Sequence, residues 1–212
     1  MPMKTVIVTA FEPFGDFEDN PTQKILAELP AFLYDAKIIK VTLPVIWNQA
    51  FSELLPVMDR HKPSLILMLG LAAGRTHVNI ERVAINVASS KTPDNLGQIS
   101  YEKPIDKAGP DAYFTNLPLE EVMQRMHRKQ IPATLSNSAG TYLCNQIMYQ
   151  VLHHIAKEEA DTKAGFIHMP LLPEQVIHKP HLASLEKRHT MDAVLTIIDL
   201  LINPVELDLK QI

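Results

Sequence analysis

The chain has little with which to build covalent cross-links: one cysteine among 212 residues. A single thiol cannot close an internal disulfide, so cysteine usage gives no sign of an oxidising compartment. A basic excess is missing too. Twenty lysines and arginines face 24 aspartates and glutamates, for a formal net charge of −4, which argues against a nucleic-acid binder and its cationic face. Long apolar runs are also lacking. The first, Val6-Ile7-Val8, stops at Thr9, too short for a signal peptide or a membrane span. No internal repeat or low-complexity tract occurs. Gly70-Leu71-Ala72-Ala73-Gly74-Arg75-Thr76 lacks the lysine and the spacing of a phosphate loop, no GxGxxG follows a strand, and no GxSxG elbow is present. What these absences leave is an ordinary globular composition. It predicts a single domain over 1–212, cytoplasmic, with neither membrane nor nucleic-acid partners.

What is present is an alternation of short β-branched runs with longer helical patterns. Strands are expected over 5–10, 37–43, 64–69, 77–87, 133–137 and 165–169, and helices over 20–29, 48–60, 118–129, 141–159 and 184–201. Asn20-Pro21 marks a helix start, with Asn as N-cap and Pro at the first helical position. The continuous apolar run closed by Gly70 has the character of a central parallel strand. Such alternation predicts an α/β fold with a mostly parallel sheet covered on both faces. Active sites then gather beyond the carboxyl ends of the strands. The loops after Ala10, after Leu69 and before Cys144 fall there, with His168 closing a further strand. The stretch 88–116, dotted with Pro93, Gly97, Pro104, Gly109 and Pro110, reads either as a lid or oligomer-contact loop or as short strands with weak patterning.

Cys144 is the only thiol available for nucleophilic chemistry. It follows the small-residue run Ser136-Asn137-Ser138-Ala139-Gly140 at the start of a helical segment, where unpaired N–H groups and the helix dipole favour thiolate. The alternative is a buried cysteine acting as a small hydrophobe. A cysteine nucleophile needs an imidazole and a group to orient it. Of nine histidines, His61, His127, His153, His154 and His189 lie in polar or helical-surface settings and are expected to be solvated. His168 closes the apolar run Gly165-Phe166-Ile167 ahead of Pro170, which suits either a site residue or a satisfied core histidine. Glu81 lies within the strand pattern Asn79-Ile80-Glu81-Arg82-Val83, where a carboxylate is costly unless paired. Arg82 points to the other face, so Glu81 needs a distant partner, an imidazolium or some other cation. Phe11, Phe14 and Phe17 cluster in a Gly/Pro loop and either cap the sheet or wall a small apolar pocket. His178-Lys179-Pro180-His181 is a poor metal site, since the proline forbids a helical pair; no metal and no cofactor is expected.

Together these segments resemble the pyroglutamyl peptidase I family of cysteine peptidases. The likeness rests on Thr9-Ala10-Phe11-Glu12-Pro13-Phe14-Gly15 with Asn20-Pro21, and on Gly74-Arg75 with Glu81-Arg82-Val83-Ala84-Ile85-Asn86. It continues through Pro93-Asp94-Asn95, Ser138 to Asn145, and Gly165 to Pro170 with Pro173-Glu174-Gln175. The resemblance implies a three-layer α/β/α sandwich, phosphorylase/hydrolase-like, and a catalytic triad of Glu81, Cys144 and His168. It further implies hydrolysis of the amide bond after an N-terminal pyroglutamyl residue of peptides through a Cys144 acyl-enzyme, and a homotetramer. Its substrate pocket maps to Phe11, Phe14, Phe17, Asn20, Leu71, Lys91 and Leu143. Three positions depart from the usual family pattern: Lys91 where Arg is common, Leu71 where Gln is common, and Ser89 in place of an acidic residue. A lysine keeps the charge but loses the planar fork. The competing readings are a lactam-binding protein without turnover and, by fold analogy alone, a nucleoside-processing enzyme.

Overall fold

In the computed structural model, which describes residues 3–15 and 17–203, the centre of the molecule is a seven-stranded sheet. The strands that build it are β1 (Thr5–Phe11), β2 (Phe32–Leu33), β3 (Ala36–Leu43), β4 (Leu65–Leu71), β5 (Val78–Glu81), β10 (Ala133–Ser136) and β11 (Lys163–Met169). Their order across the sheet is β10-β5-β11-β4-β1-β3-β2. Strands β3, β1, β4 and β11 are mutually parallel. Both β5 and β10 run the opposite way, since β5 pairs antiparallel with β11 and parallel with β10. The sheet is therefore mostly parallel, as the alternation predicts, with a reversed margin that the pattern does not reveal.

Strand β4 is apolar on every residue, and its neighbours β1 and β11 nearly so, because both faces are covered. Val6, Val8, Leu65, Leu67, Leu69 and Ile167 pack into one core, with Ile25, Val122 and Ile197 from the helices α1 (Pro21–Glu28), α3 (Leu119–Arg128) and α5 (Lys187–Ile202). The intervening residues Ile7, Ile66, Met68 and Phe166 join a second core with Leu54 from α2 (Gln49–His61) and with Ile147 and Val151 from α4 (Leu143–Lys157). That period-2 division between two helical layers makes the α/β/α sandwich.

One expected strand is revised and one open alternative is decided. The strand predicted over 77–87 breaks at Arg82, whose N–H donates to Ser136 and whose carbonyl accepts from Thr115. Beyond the break, β6 (Val83–Ile85) leaves the main sheet and pairs with β9 (Ala112–Phe114). In the stretch 88–116 the short-strand alternative holds: β7 (Ala88–Ser90) and β8 (Ser100–Lys103) form a second small antiparallel pair. The turn between β7 and β8 is organised by the buried carboxylate of Asp94. Its Oδ1 accepts from the N–H of Leu96 at 2.9 Å and of Gln98 at 2.8 Å, and its Oδ2 from Trp47 at 3.0 Å. Strands of three and four residues with prolines between them carry too little periodicity to be read in advance.

Candidate active site

The site begins with a matter of register. On antiparallel β5 and β11, Glu81 lies opposite Phe166 and Asn79 opposite His168, so all four side chains share one face of the sheet. Glu81 and His168 are diagonal neighbours on it. The Nδ1–H of His168 donates to Glu81 Oε1 at 2.8 Å, with the imidazole 7% and the carboxylate 0% exposed. The long-range partner that a buried carboxylate requires is thus His168, with a second in Arg75, whose Nη1 lies 3.3 Å from the same oxygen. Because Glu81 holds Nδ1–H, the ring nitrogen free for proton transfer is Nε2.

Cys144 is the second residue of α4 and only partly exposed. It packs over the sheet face that carries His168, in the core with Phe166 and Met68. Gly70 makes the room. It pairs with His168 across β4 and β11, and a Cβ placed on it would fall 3.0 Å from Cys144 Sγ and 2.6 Å from the Phe166 ring. Phe166 in turn lies against the imidazole, ring centroids 4.8 Å apart. The thiol, the imidazole and the carboxylate therefore share one cramped face.

The chain that delivers Cys144 is tied down at several points. Asn145 is buried and clamps β6: its Oδ1 accepts from Ile85 N–H, and its Nδ2 donates to the carbonyls of Ile85 and Val87, all at 2.9 Å. Thr141 Oγ1 donates to the Ser89 carbonyl at 2.6 Å, and Tyr142 OH to the Pro93 carbonyl at 3.0 Å. Burial, with Asp94 and Cys144 adding to it, pushes the Tyr142 phenol up to about 12, so it stays a donor at neutral pH. The expected loop geometry needs correction here. Because β10 runs opposite to β11, its end at Ser136 stands level with Glu81, and the nucleophile's loop approaches from that depth rather than from the carboxyl end of a parallel strand.

The thiol itself departs from the sequence expectation. Burial pushes it up to about 12, the Glu81 charge adds to the effect, and the residue's own backbone N–H only partly opposes them. Desolvation outweighs the helix start, so the resting nucleophile is a thiol that needs a base.

Of the residues expected to line a pocket, Phe14 and Phe17 are half-buried, their ring centroids 6.2 Å apart, and Phe14 packs against the core that holds Cys144. Phe17 carries Lys179 Nζ 4.8 Å above its ring and borders a cleft of 550 Å³ with Glu18, Glu174 and His178. Phe11 and Leu143, in contrast, are buried in the core, at 3% and 2% exposure. They are packing residues beneath the site. Asn20 is spent on structure: its Oδ1 caps α1 through Thr22 N–H at 3.0 Å and its Nδ2 donates to the Glu12 carbonyl at 3.1 Å. Leu71 pairs with Met169 on the face opposite Gly70, so its side chain is directed away from the thiol. Lys91 is exposed and makes no ion pair among the described residues. The histidines expected at the surface are half-buried except His127. His153, for one, bonds Tyr113 OH through Nδ1 at 2.9 Å and stacks on Tyr149. Residues the sequence reading passed over are Gly70, Arg75 and Asn145. The first has a signal, a glycine closing a fully apolar strand; the other two depend on contacts 6 and about 60 positions away.

A thiol set on a sheet face beside a buried imidazole–carboxylate pair is the apparatus of cysteine hydrolases as a class. Comparison narrows the class. Residues 4–203 match the family model described as pyroglutamyl peptidase. Pyrrolidone-carboxylate peptidase 1 of Caldanaerobacter subterraneus subsp. tengcongensis is 39% identical over 197 residues, 93% of this chain and 97% of that protein. The pyrrolidone-carboxylate peptidase of Enterococcus faecalis is 40% identical over 92% of this chain and 91% of that protein. A solved pyrrolidone carboxyl peptidase of Pyrococcus furiosus superposes with a TM-score of 0.91 at 38% identity, covering 94% of this chain and 99% of that one. The chain belongs to the pyroglutamyl peptidase family.

Proposed function

We propose that the protein removes N-terminal pyroglutamyl residues from peptides, with Cys144 as nucleophile, His168 as general base and acid, and Glu81 as the group that orients and supports the imidazole. The observation that carries this reading is the buried His168–Glu81 hydrogen bond of 2.8 Å, with Sγ of Cys144 held above Gly70, the strand neighbour of His168.

In the first half-reaction Nε2 of His168 takes the thiol proton as sulfur attacks the pyroglutamyl carbonyl, forming the C–S bond. The tetrahedral oxyanion is met by backbone N–H groups at the start of α4, which have no intrahelical partner. The imidazolium, stabilised by Glu81, then gives its proton to the departing amine as the C–N bond breaks. In the second half, water attacks the thioester, its proton passes to Nε2 and then to sulfur, and pyroglutamate is released. A thiol kept protonated at rest makes the base indispensable. The substrate end is a neutral lactam that needs no carboxylate to hold an α-ammonium, and the half-buried rings of Phe14 and Phe17 supply a suitable wall for it. The reading extends to a cytoplasmic setting and a homotetramer, for which the exposed Ile99 and Tyr101 of the 88–116 stretch offer apolar surface.

The test is release of pyroglutamate from a pyroglutamyl amide under reducing conditions. Wild type is expected to turn it over, and Cys144→Ala to fall to background while still binding the lactam. Binding of pyroglutamate by wild type without hydrolysis would replace the peptidase reading with a lactam-binding one.

A further inference from the structure

Glu81 poses a problem that His168 alone does not solve. The carboxylate is fully buried, and its Oε2 has no hydrogen-bond partner among the described residues. A buried carboxylate with one oxygen unpartnered is costly unless a cation stands beside it. The compensating charge comes from Arg75, in the turn that follows β4. This turn is closed by Arg75 N–H donating to the Ala72 carbonyl at 3.2 Å and by Gly74 at φ +88°. Arg75 Nη1 lies 3.3 Å from Glu81 Oε1, and Nη2 donates to the Ser138 carbonyl at 3.4 Å. Ser138 belongs to the turn leading into α4, where its Oγ accepts from Gly140 N–H at 3.1 Å. One planar guanidinium thus bridges the orienting carboxylate and the chain that presents the nucleophile, a geometry a lysine cannot copy.

We propose that Arg75 is a positioning residue for the reaction: its guanidinium holds the Glu81 carboxylate against His168 Nδ1 and fixes the Ser138 turn that carries Cys144. The proposal rests on the triad assignment above. The titratable groups that face the His168–Glu81 pair are Arg75 from the turn after β4 and Cys144 from α4. Asn79 of β5 and Phe166 of β11 add no charge.

The experiment compares wild type with Arg75→Met, Arg75→Lys, Glu81→Gln and the Arg75→Met/Glu81→Gln double variant, all checked for native thermal unfolding. Rates of pyroglutamyl-amide hydrolysis are taken across pH 5.5–9. Arg75→Met is expected to lower kcat by about 10–100-fold with KM within about twofold. Arg75→Lys recovers kcat only in part, since it keeps the charge beside Glu81 but loses the second contact to Ser138. In the Glu81→Gln background, where Arg75 has no carboxylate left to hold, the Arg75→Met change is expected to cost less in kcat than it does in wild type. An Arg75→Met profile superimposable on wild type, or a loss confined to KM, overturns the proposal. Should Glu81→Gln itself retain full kcat, the triad assignment fails instead, so the two failures are told apart. If Arg75→Met does not fold, Arg75→Lys carries the decision: a kcat equal to wild type sinks the bridging role.

Discussion

A single methyl group at Gly70 is expected to disable the site while leaving the fold largely intact. In Gly70→Ala the new Cβ would stand 2.6 and 2.7 Å from two carbons of the Phe166 ring and 3.0 Å from Cys144 Sγ. Ordinary carbon contacts are about 3.5–4.0 Å, so the ring must retreat by roughly 1 Å. Phe166 cannot do so freely. It is fully buried, and its ring lies 4.8 Å from that of His168, so the displacement passes to the imidazole while the sulfur is pushed outward. Overpacking of this kind costs about 1–3 kcal/mol of stability, several degrees in Tm for a chain of this size. The catalytic cost is larger, because misplacing reacting groups by about 1 Å can lower the rate around 10²-fold. The matched control is Gly165→Ala. It overpacks the opposite face of the neighbouring strand, meeting Leu117 at 2.1 Å, and loads no group near the thiol. The assay is kcat/KM per folded molecule alongside thermal unfolding for both variants. Comparable Tm losses with activity lost only in Gly70→Ala are expected. Wild-type kcat/KM in Gly70→Ala, or equal activity losses in both, would refute the placement of the thiol over the β4–β11 register.

Two further outcomes follow from the same contacts. Because burial and Glu81 raise the Cys144 thiol to about 12, its thiolate fraction at neutral pH lies below that of an ordinary cysteine. Iodoacetamide alkylation of a His168→Ala variant should therefore climb about tenfold per pH unit through pH 9 without levelling, and a plateau below pH 8 would contradict this. Asn145→Ala strips Ile85 N–H and two carbonyls of their partners at once. At about 1–3 kcal/mol for a buried group left unsatisfied, a loss of roughly 2–4 kcal/mol in urea unfolding is expected, and a change under 0.5 kcal/mol would show that water replaces the clamp.

The central parallel strands were legible because burial on both faces leaves an uninterrupted apolar run, and helix α1 because Asn20 and Pro21 spell out its cap chemically. Glu81 was legible as a problem, a charge in a strand, and His168 as an imidazole closing one. Their meeting was not, because it depends on β5 pairing antiparallel with β11, a register fixed by tertiary packing and invisible in a four-residue strand. The same holds for the pocket. Phe11 and Phe14 look alike in sequence, three residues apart, yet Phe11 ends a sheet strand and is swallowed by the core, while Phe14 lies in the loop beyond it. Asn20 shows the opposite hazard: the polarity that made it a pocket candidate is consumed by the cap that the same residue announces. The thiol's state was misjudged for a quantitative reason. A helix start contributes partial charges that fall off within a turn, whereas removal from water acts on the whole unit charge.

The reversed direction of β5 also accounts for how a carboxylate came to be fully buried in a site that must admit substrate. In a wholly parallel sheet each strand would reach the catalytic end at its last residue and hand its side chain to a solvent-facing loop. Strand β5 enters from that end instead, so the turn at Arg75 lies at the catalytic edge and the strand then descends into the sheet. By Glu81 it is level with Phe166, two residues below His168. The carboxylate therefore supports the imidazole from beneath, where water cannot compete for it, while Arg75 at the rim neutralises the charge with its side chain 35% exposed. Depth strengthens the hydrogen bond and raises the cost of leaving a carboxylate without a cation beside it. Only with a cation reaching down from the entry turn are both requirements met, and the direction of one short strand provides that reach.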